Sequence, residues 1–145
     1  MTDTLAPCVR EPIQPKEAII LIVEDSLSDF VLMARMLAYL GIPRCEWKTS
    51  GWQLIEFGDS LPRIALILMN IRLPYEDSYT ALAEIRATRR FKDTIVVAIT
   101  AEASQEQMDT ARAAGFDGYL GNPLNPDTFP DQIRRMLVGE LVWEL

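Results

Sequence analysis

Histidine is absent from all 145 residues. That removes imidazole general-base chemistry, Ser-His-Asp triads, most zinc sites and any phosphohistidine relay step on this polypeptide. Cysteine is nearly as scarce. Cys8 and Cys45 are too few for a disulfide framework, so a reducing cytoplasm is the expected setting. No apolar run approaches the roughly 20 residues that span a membrane, and the N-terminus lacks a signal-like apolar core, so no membrane partner is expected. Positive charge is short too. The formal net charge is −7, a poor match to nucleic-acid phosphates. The strand-to-helix turns hold no glycine-rich phosphate cradle, and no nucleophile–base pair stands out, so the chain does not read as an enzyme.

What is present describes an ordinary globular domain. Hydrophobic residues make up 49% and charged residues 24% of the chain, and the length suits one core. Pro7, Pro12 and Pro15 lie among polar residues, and residues 1–16 read as a flexible N-terminal arm. Three continuous apolar runs follow: Ala18–Val23, Ile64–Met69 and Thr94–Ile99. Continuous apolarity over so few residues suits strands buried on both faces. Cys45–Thr49 alternates like a strand nearer an edge, and Asp117–Leu120 reads as a short fifth strand.

Helical signals fill the intervals. Ser26 with Asp29 opens a helix carrying Met33, Met36, Leu37 and Leu40 as core, closed by Gly41. Ser50 and Gln53 open a short helix ending near Gly58, and another spans about Ser78–Arg89. Ser104 with Gln107 caps a fourth helix that Gly115 ends, and a fifth runs from about Asp127 to Val138. Pro126 and Pro130 place the regular start of that last helix near Asp127 or Thr128. Alternation of this kind predicts right-handed βαβ crossovers and a doubly wound α/β sandwich. Residues 17–138 form the domain and 139–145 a C-terminal tail. In such sheets ligands bind beyond the carboxyl ends of the strands.

Those ends carry Glu24 and Asp25, Asn70, Thr100 and Ala101, and Asn122 and Pro123, with Tyr119 just inside. From Asn70 to Thr100 is 30 residues, and from Thr100 to Asn122 is 22. The set resembles the receiver domain of two-component response regulators, over residues 18 to about 138. The stretch GFDGYLGNPLNPDTFPDQIRRML looks like the single-domain, polarity-regulator type. The resemblance implies a flavodoxin-like (βα)5 fold with a five-stranded parallel sheet in the order 2-1-3-4-5. It also implies an acidic pair holding Mg²⁺, a phosphorylated Asp after the third strand, a Ser or Thr after the fourth and Lys-Pro after the fifth. The carboxylate takes the phosphoryl group, and the cation and lysine neutralise developing charge. The hydroxyl and an aromatic residue then repack.

Two positions depart from that pattern. Asn70 stands at the phospho-acceptor and Asn122 at the lysine. An amide oxygen cannot form an acyl phosphate, and no ammonium remains to hold one. The net pocket charge is nonetheless that of an intact site, because one carboxylate and one ammonium are lost together. The expectation is a degenerate pocket of Glu24, Asp25, Asn70, Thr100 and Asn122. No cofactor is required, and Mg²⁺ binds weakly at Glu24 and Asp25 with the Arg72 carbonyl as a further ligand implied by the resemblance. Glu24 and Asp25 also suit a helix N-terminus without any metal. Thr100 and Tyr119 match the switch pair, with Tyr119 expected in one fixed orientation, and Asn122–Pro123 is a cis-peptide candidate.

The function implied is a pseudo-receiver, a phosphorylation-independent interaction module. Its partners would be a histidine kinase or other signalling protein, or a second copy through the fourth-helix to fifth-helix face or the terminal arms. No DNA-binding output domain is expected. The competing reading is a phosphorylation-dependent single-domain regulator in which Asn70 is engineered, or in which Ser78, Thr80 or Thr100 accepts the phosphoryl group. Arg86, Arg89, Arg90 and Lys92 read as a solvated, dipole-complementing face. Leu141, Val142, Trp143 and Leu145 pack either on this domain or on a partner.

Overall fold

A computed structural model describes residues 13–73, 76–102 and 104–144. Its elements run β1 (Ile19–Val23), α1 (Leu27–Tyr39), β2 (Arg44–Lys48), α2 (Leu54–Asp59), β3 (Leu66–Asn70), α3 (Ser78–Ala87), β4 (Ile95–Thr100), α4 (Gln105–Ala114), β5 (Gly118–Gly121), α5 (Phe129–Leu137) and β6 (Trp143–Glu144). All strand pairs are parallel, in the order β2-β1-β3-β4-β5-β6. The fold is the expected flavodoxin-like α/β sandwich, extended by a sixth strand.

The continuous apolar runs are explained by two cores, one on each face of the sheet. Ile20, Ile22, Leu66, Leu68, Val97 and Ile99 join Met33 and Leu37 of α1 and Phe129 and Ile133 of α5. Leu21, Val23, Ile67, Met69, Val96 and Ala98 join Leu54 of α2, Leu82 and Ile85 of α3 and Met108 of α4. Strand side chains alternate faces, so a strand covered twice is apolar at every position. Each fully buried Leu or Ile contributes roughly 1.5–3 kcal/mol.

The capping signals resolve locally. The Ser26 hydroxyl accepts the Asp29 N–H, and that of Ser104 accepts the Gln107 N–H. The fifth helix begins at Phe129, with Pro130 in the first turn where no helical hydrogen bond is lost. Just before it, the Asn125 side chain accepts the Asp127 N–H at 2.8 Å. At α2 the expected Ser50–Gln53 opening differs, because Gln53 is left-handed and makes no side-chain cap.

Two expectations need correction, and one open alternative is resolved. Of the tail, expected to pack either on the domain or on a partner, Val142 is buried in the domain and Trp143–Glu144 pairs with β5. Residues 13–16 are not a free arm. Ile13 N–H donates to the Leu137 carbonyl at 3.0 Å and Pro15–Glu17 form a 3-10 turn. The rest of that arm, with Pro7, Cys8 and Pro12, lies outside the described residues, as do Pro74 and Leu145. The basic cluster is not simply solvated. Arg86 bonds the carbonyls of Lys92, Thr94 and Gly115 and pairs with Asp117 at 2.7 Å. Arg90 bonds the carbonyls of Leu61 and Pro62 and pairs with Asp59. A planar guanidinium reaches several fixed carbonyls at once, which an ammonium cannot do.

Candidate functional site

The carboxyl ends of β1, β3, β4 and β5 meet at one end of the sheet. Glu24 continues β1, and its N–H donates to the Lys48 carbonyl at 2.9 Å. From the other side the Trp47 indole N–H donates to the Glu24 carbonyl at 2.7 Å. The indole is itself stacked on Phe30 of α1, with ring centres 4.6 Å apart and 5° between planes. The Glu24 side chain is buried while Asp25 is exposed. One Glu24 oxygen accepts the Ser26 N–H at 2.9 Å. Burial first, and then the neighbouring Asp25, push the Glu24 carboxyl above its ordinary value, against the lowering effect of the Ser26 and Asn70 donors.

Asn70 ends β3 directly between these acids. Its Nδ2 donates to both Glu24 oxygens at 3.2 Å and to Asp25 Oδ1 at 3.3 Å. Its Oδ1 accepts the Arg72 N–H at 2.8 Å, which fixes the orientation of the amide. A carboxylate here would place a third negative charge against two others; the amide instead presents two N–H groups to them.

This donor set does not fit a resident divalent cation. The oxygens that would ligate it converge on an N–H donor, and flipping the amide would set Nδ2 against the Arg72 N–H. Among the described residues no group of three His, Cys, Asp or Glu is placed to hold a metal.

Thr100 is buried, and its hydroxyl accepts the Glu102 N–H at 3.1 Å. The Tyr119 ring is buried among the α3 and α4 side chains, and its hydroxyl donates to the Glu102 carbonyl at 3.2 Å. Burial pushes the Tyr119 phenol above its ordinary value. The Glu102 carboxylate pairs with Arg72, so the loops after β3 and β4 are tied above the pocket. Asn122 N–H donates to the Thr100 carbonyl at 2.8 Å, and the Asn122–Pro123 peptide is cis. Among the described residues, no hydrogen bond joins the Asn122 side chain to Glu24, Asp25 or Asn70. The structure thus gathers Glu24, Asp25 and Asn70 into one hydrogen-bonded group, with Thr100 and Tyr119 meeting at Glu102 instead.

The other hydroxyls are already engaged. Ser78 is buried and donates to the Ile71 carbonyl at 2.6 Å, and Thr80 lies 3.5 Å from the Asp77 cap of α3. Sequence reasoning missed Trp47 and Glu102. An indole in a strand gives no hint that its N–H will reach a carbonyl 23 positions away. Glu102, two residues past Thr100, had a positional signal that went unused.

Comparison with known proteins gives a consistent picture. A family model described as the response regulator receiver domain matches residues 20–134. The chain is 31% identical over 115 residues to the probable methanogenesis regulatory protein FilR2 of Methanothrix harundinacea, covering 74% of this chain and 73% of that one. It is 26% identical over 125 residues to the sensor histidine kinase CheAY of Helicobacter pylori, covering 85% of this chain but 15% of that protein. Among solved structures, it matches the receiver domain of sensor histidine kinase PA1611 from Pseudomonas aeruginosa, described with a magnesium ion in its active-site cleft. That match has a TM-score of 0.72 at 31% identity, covering 85% of this chain and 98% of the other.

Proposed function

Because this chain belongs to the response regulator receiver family, we propose that it is a pseudo-receiver: a signalling module whose output is set by protein contact and not by aspartyl phosphorylation. The observation that carries this reading is the Asn70 amide donating to Glu24 and Asp25. It makes with hydrogen bonds the contacts that a cation makes in a working receiver, and it offers no nucleophile. The lysine position, Asn122, has no ammonium to neutralise a transferred phosphoryl group. Mg²⁺ is not required, and its binding at the acidic pair is weak.

The module works in the cytoplasm with a histidine kinase or another signalling protein. A second copy is a further partner, through the α4–α5 face or the terminal arms. The competing reading is a phosphorylation-dependent regulator with an engineered Asn70 or with Ser78, Thr80 or Thr100 as acceptor; burial disfavours Ser78 and Thr100, while Thr80 is exposed.

Incubation with acetyl phosphate and Mg²⁺, followed by intact mass, tests the proposal. The expected result is an unchanged mass. A stoichiometric phosphoryl adduct would overturn it, on a carboxylate where hydroxylamine removes the adduct and on a hydroxyl where it does not.

A further inference from the structure

The outer edge of β5 is covered by the chain itself. After α5 the backbone turns at Gly139, passes through exposed Glu140 and Leu141, and returns beside β5 in parallel register, with Trp143 opposite Tyr119 and Glu144 opposite Leu120. Val142 is buried in the α1–α5 core, and its carbonyl accepts the Tyr119 N–H at 2.9 Å. Trp143 lies under the Arg112 guanidinium of α4, which is 4.3 Å from the ring centre. The Glu144 carboxylate accepts the Gln132 amide and Arg135 Nη1, both from α5. Three consecutive residues therefore meet three different chemistries: an apolar slot, a cation over a ring, and a pair of donors.

Gly118 shows that the strand side of this groove is fitted to its occupant. A Cβ at Gly118 would lie 2.7 Å from the Val142 carbonyl oxygen. Its backbone is not left-handed, so glycine serves close approach here and not an unusual turn.

We propose that the β5 edge between α4 and α5 is a recognition groove for a short extended segment with an apolar, an aromatic and an acidic residue in succession. Val142–Glu144 fill it in cis, and the partner it fits is the same segment of a second copy of this chain. Every docking contact lies beyond the Gly139 turn, so a segment arriving from a neighbouring copy makes all of them unchanged, and exchange between two copies is symmetric. The short covalent tether through Gly139 holds the segment at high effective concentration and favours the cis form in dilute solution. The inference builds on the interaction reading of the α4–α5 face. Its test leaves the acidic pocket untouched, so phosphoryl acceptance and strand exchange fail separately.

Two full-length variants provide the test. Val142→Asp with Trp143→Ala keeps the groove and spoils the segment; Gly118→Ala keeps the segment and blocks the groove. Neither can exchange with itself. Mixed in equal amounts, they are expected to form a one-to-one dimer by sedimentation velocity; a mixture that stays monomeric up to millimolar concentration overturns the proposal. A labelled peptide of residues 139–145 gives a readout independent of Gly118. It is expected to bind the Val142→Asp/Trp143→Ala variant about tenfold or more tighter than the wild type, whose own segment competes at high effective concentration. Equal binding to both also overturns the proposal.

Discussion

The indole N–H of Trp47 in β2 donates to the main-chain carbonyl of Glu24, 2.7 Å away, just past the end of β1. The stack on Phe30 aims the indole, and the hydrogen bond pins the backbone that presents both acids. Trp47→Phe keeps a stacked ring and removes the donor. The expected cost is about 1 kcal/mol, read from urea denaturation. Trp47→Ala loses the stack as well and should cost more. Equal stability of the wild type and the Phe variant would show that the donor contributes nothing.

Glu24 holds its proton to higher pH in the folded chain than in the unfolded one, chiefly through burial. The folded state therefore binds more protons over the interval from the ordinary carboxylate range to its raised value. Stability from this group is present below that interval and lost as pH rises through it. Glu24→Gln keeps an oxygen for Ser26 N–H and for the Asn70 amide but has no charge to desolvate. The stability difference, variant minus wild type, should grow with pH across that window. Denaturation curves that run parallel over the whole range would contradict the assignment.

Asn70→Asp places a third carboxylate against Glu24 and Asp25 and removes two N–H donors. Without divalent cations the variant should be less stable by about 1–3 kcal/mol, and added Mg²⁺ should restore much of that. The wild type, whose amide already serves the acids, should show little shift with Mg²⁺. Thermal melts of both proteins with EDTA and with Mg²⁺ give the comparison. A wild-type shift as large as the variant's would argue against the amide's role.

Arg86 joins the end of α3 to the start of β5 through Asp117, which also accepts the Val96 N–H at 2.9 Å. Arg86→Ala leaves the largely enclosed Asp117 carboxylate without its guanidinium and several carbonyls without their donor, and should destabilise the chain by about 2–3 kcal/mol. Arg86→Lys should recover little, because one ammonium cannot span Thr94, Gly115 and Asp117 together. The check is the denaturation midpoint of both variants. Full recovery by lysine would mean that charge alone matters.

How far the sequence reached depended on the kind of signal. β1, β3 and β4 were legible because a strand covered on both faces must be apolar at every position, and few alternatives fit such runs. The placement of Glu24, Asp25 and Asn70 followed from the strand ends. The orientation of the Asn70 amide did not, since it depends on a main-chain N–H at Arg72. Arg86 looked like one more surface cation because its partner Asp117 is 31 positions away. β6 left no trace in periodicity: two paired residues are too few to show alternation, and it is tertiary contacts, the packing of Val142, Arg112 over Trp143 and the α5 donors to Glu144, that bring them to the sheet.

The position of β6 bears directly on how the molecule should be handled. Anything fused after Leu145, whether an affinity tag, a fluorophore or a reporter, would leave the protein beside Glu144 and its partners on α5. Bait for capture experiments is therefore better immobilised through an exposed residue of another element, such as Tyr39 at the end of α1.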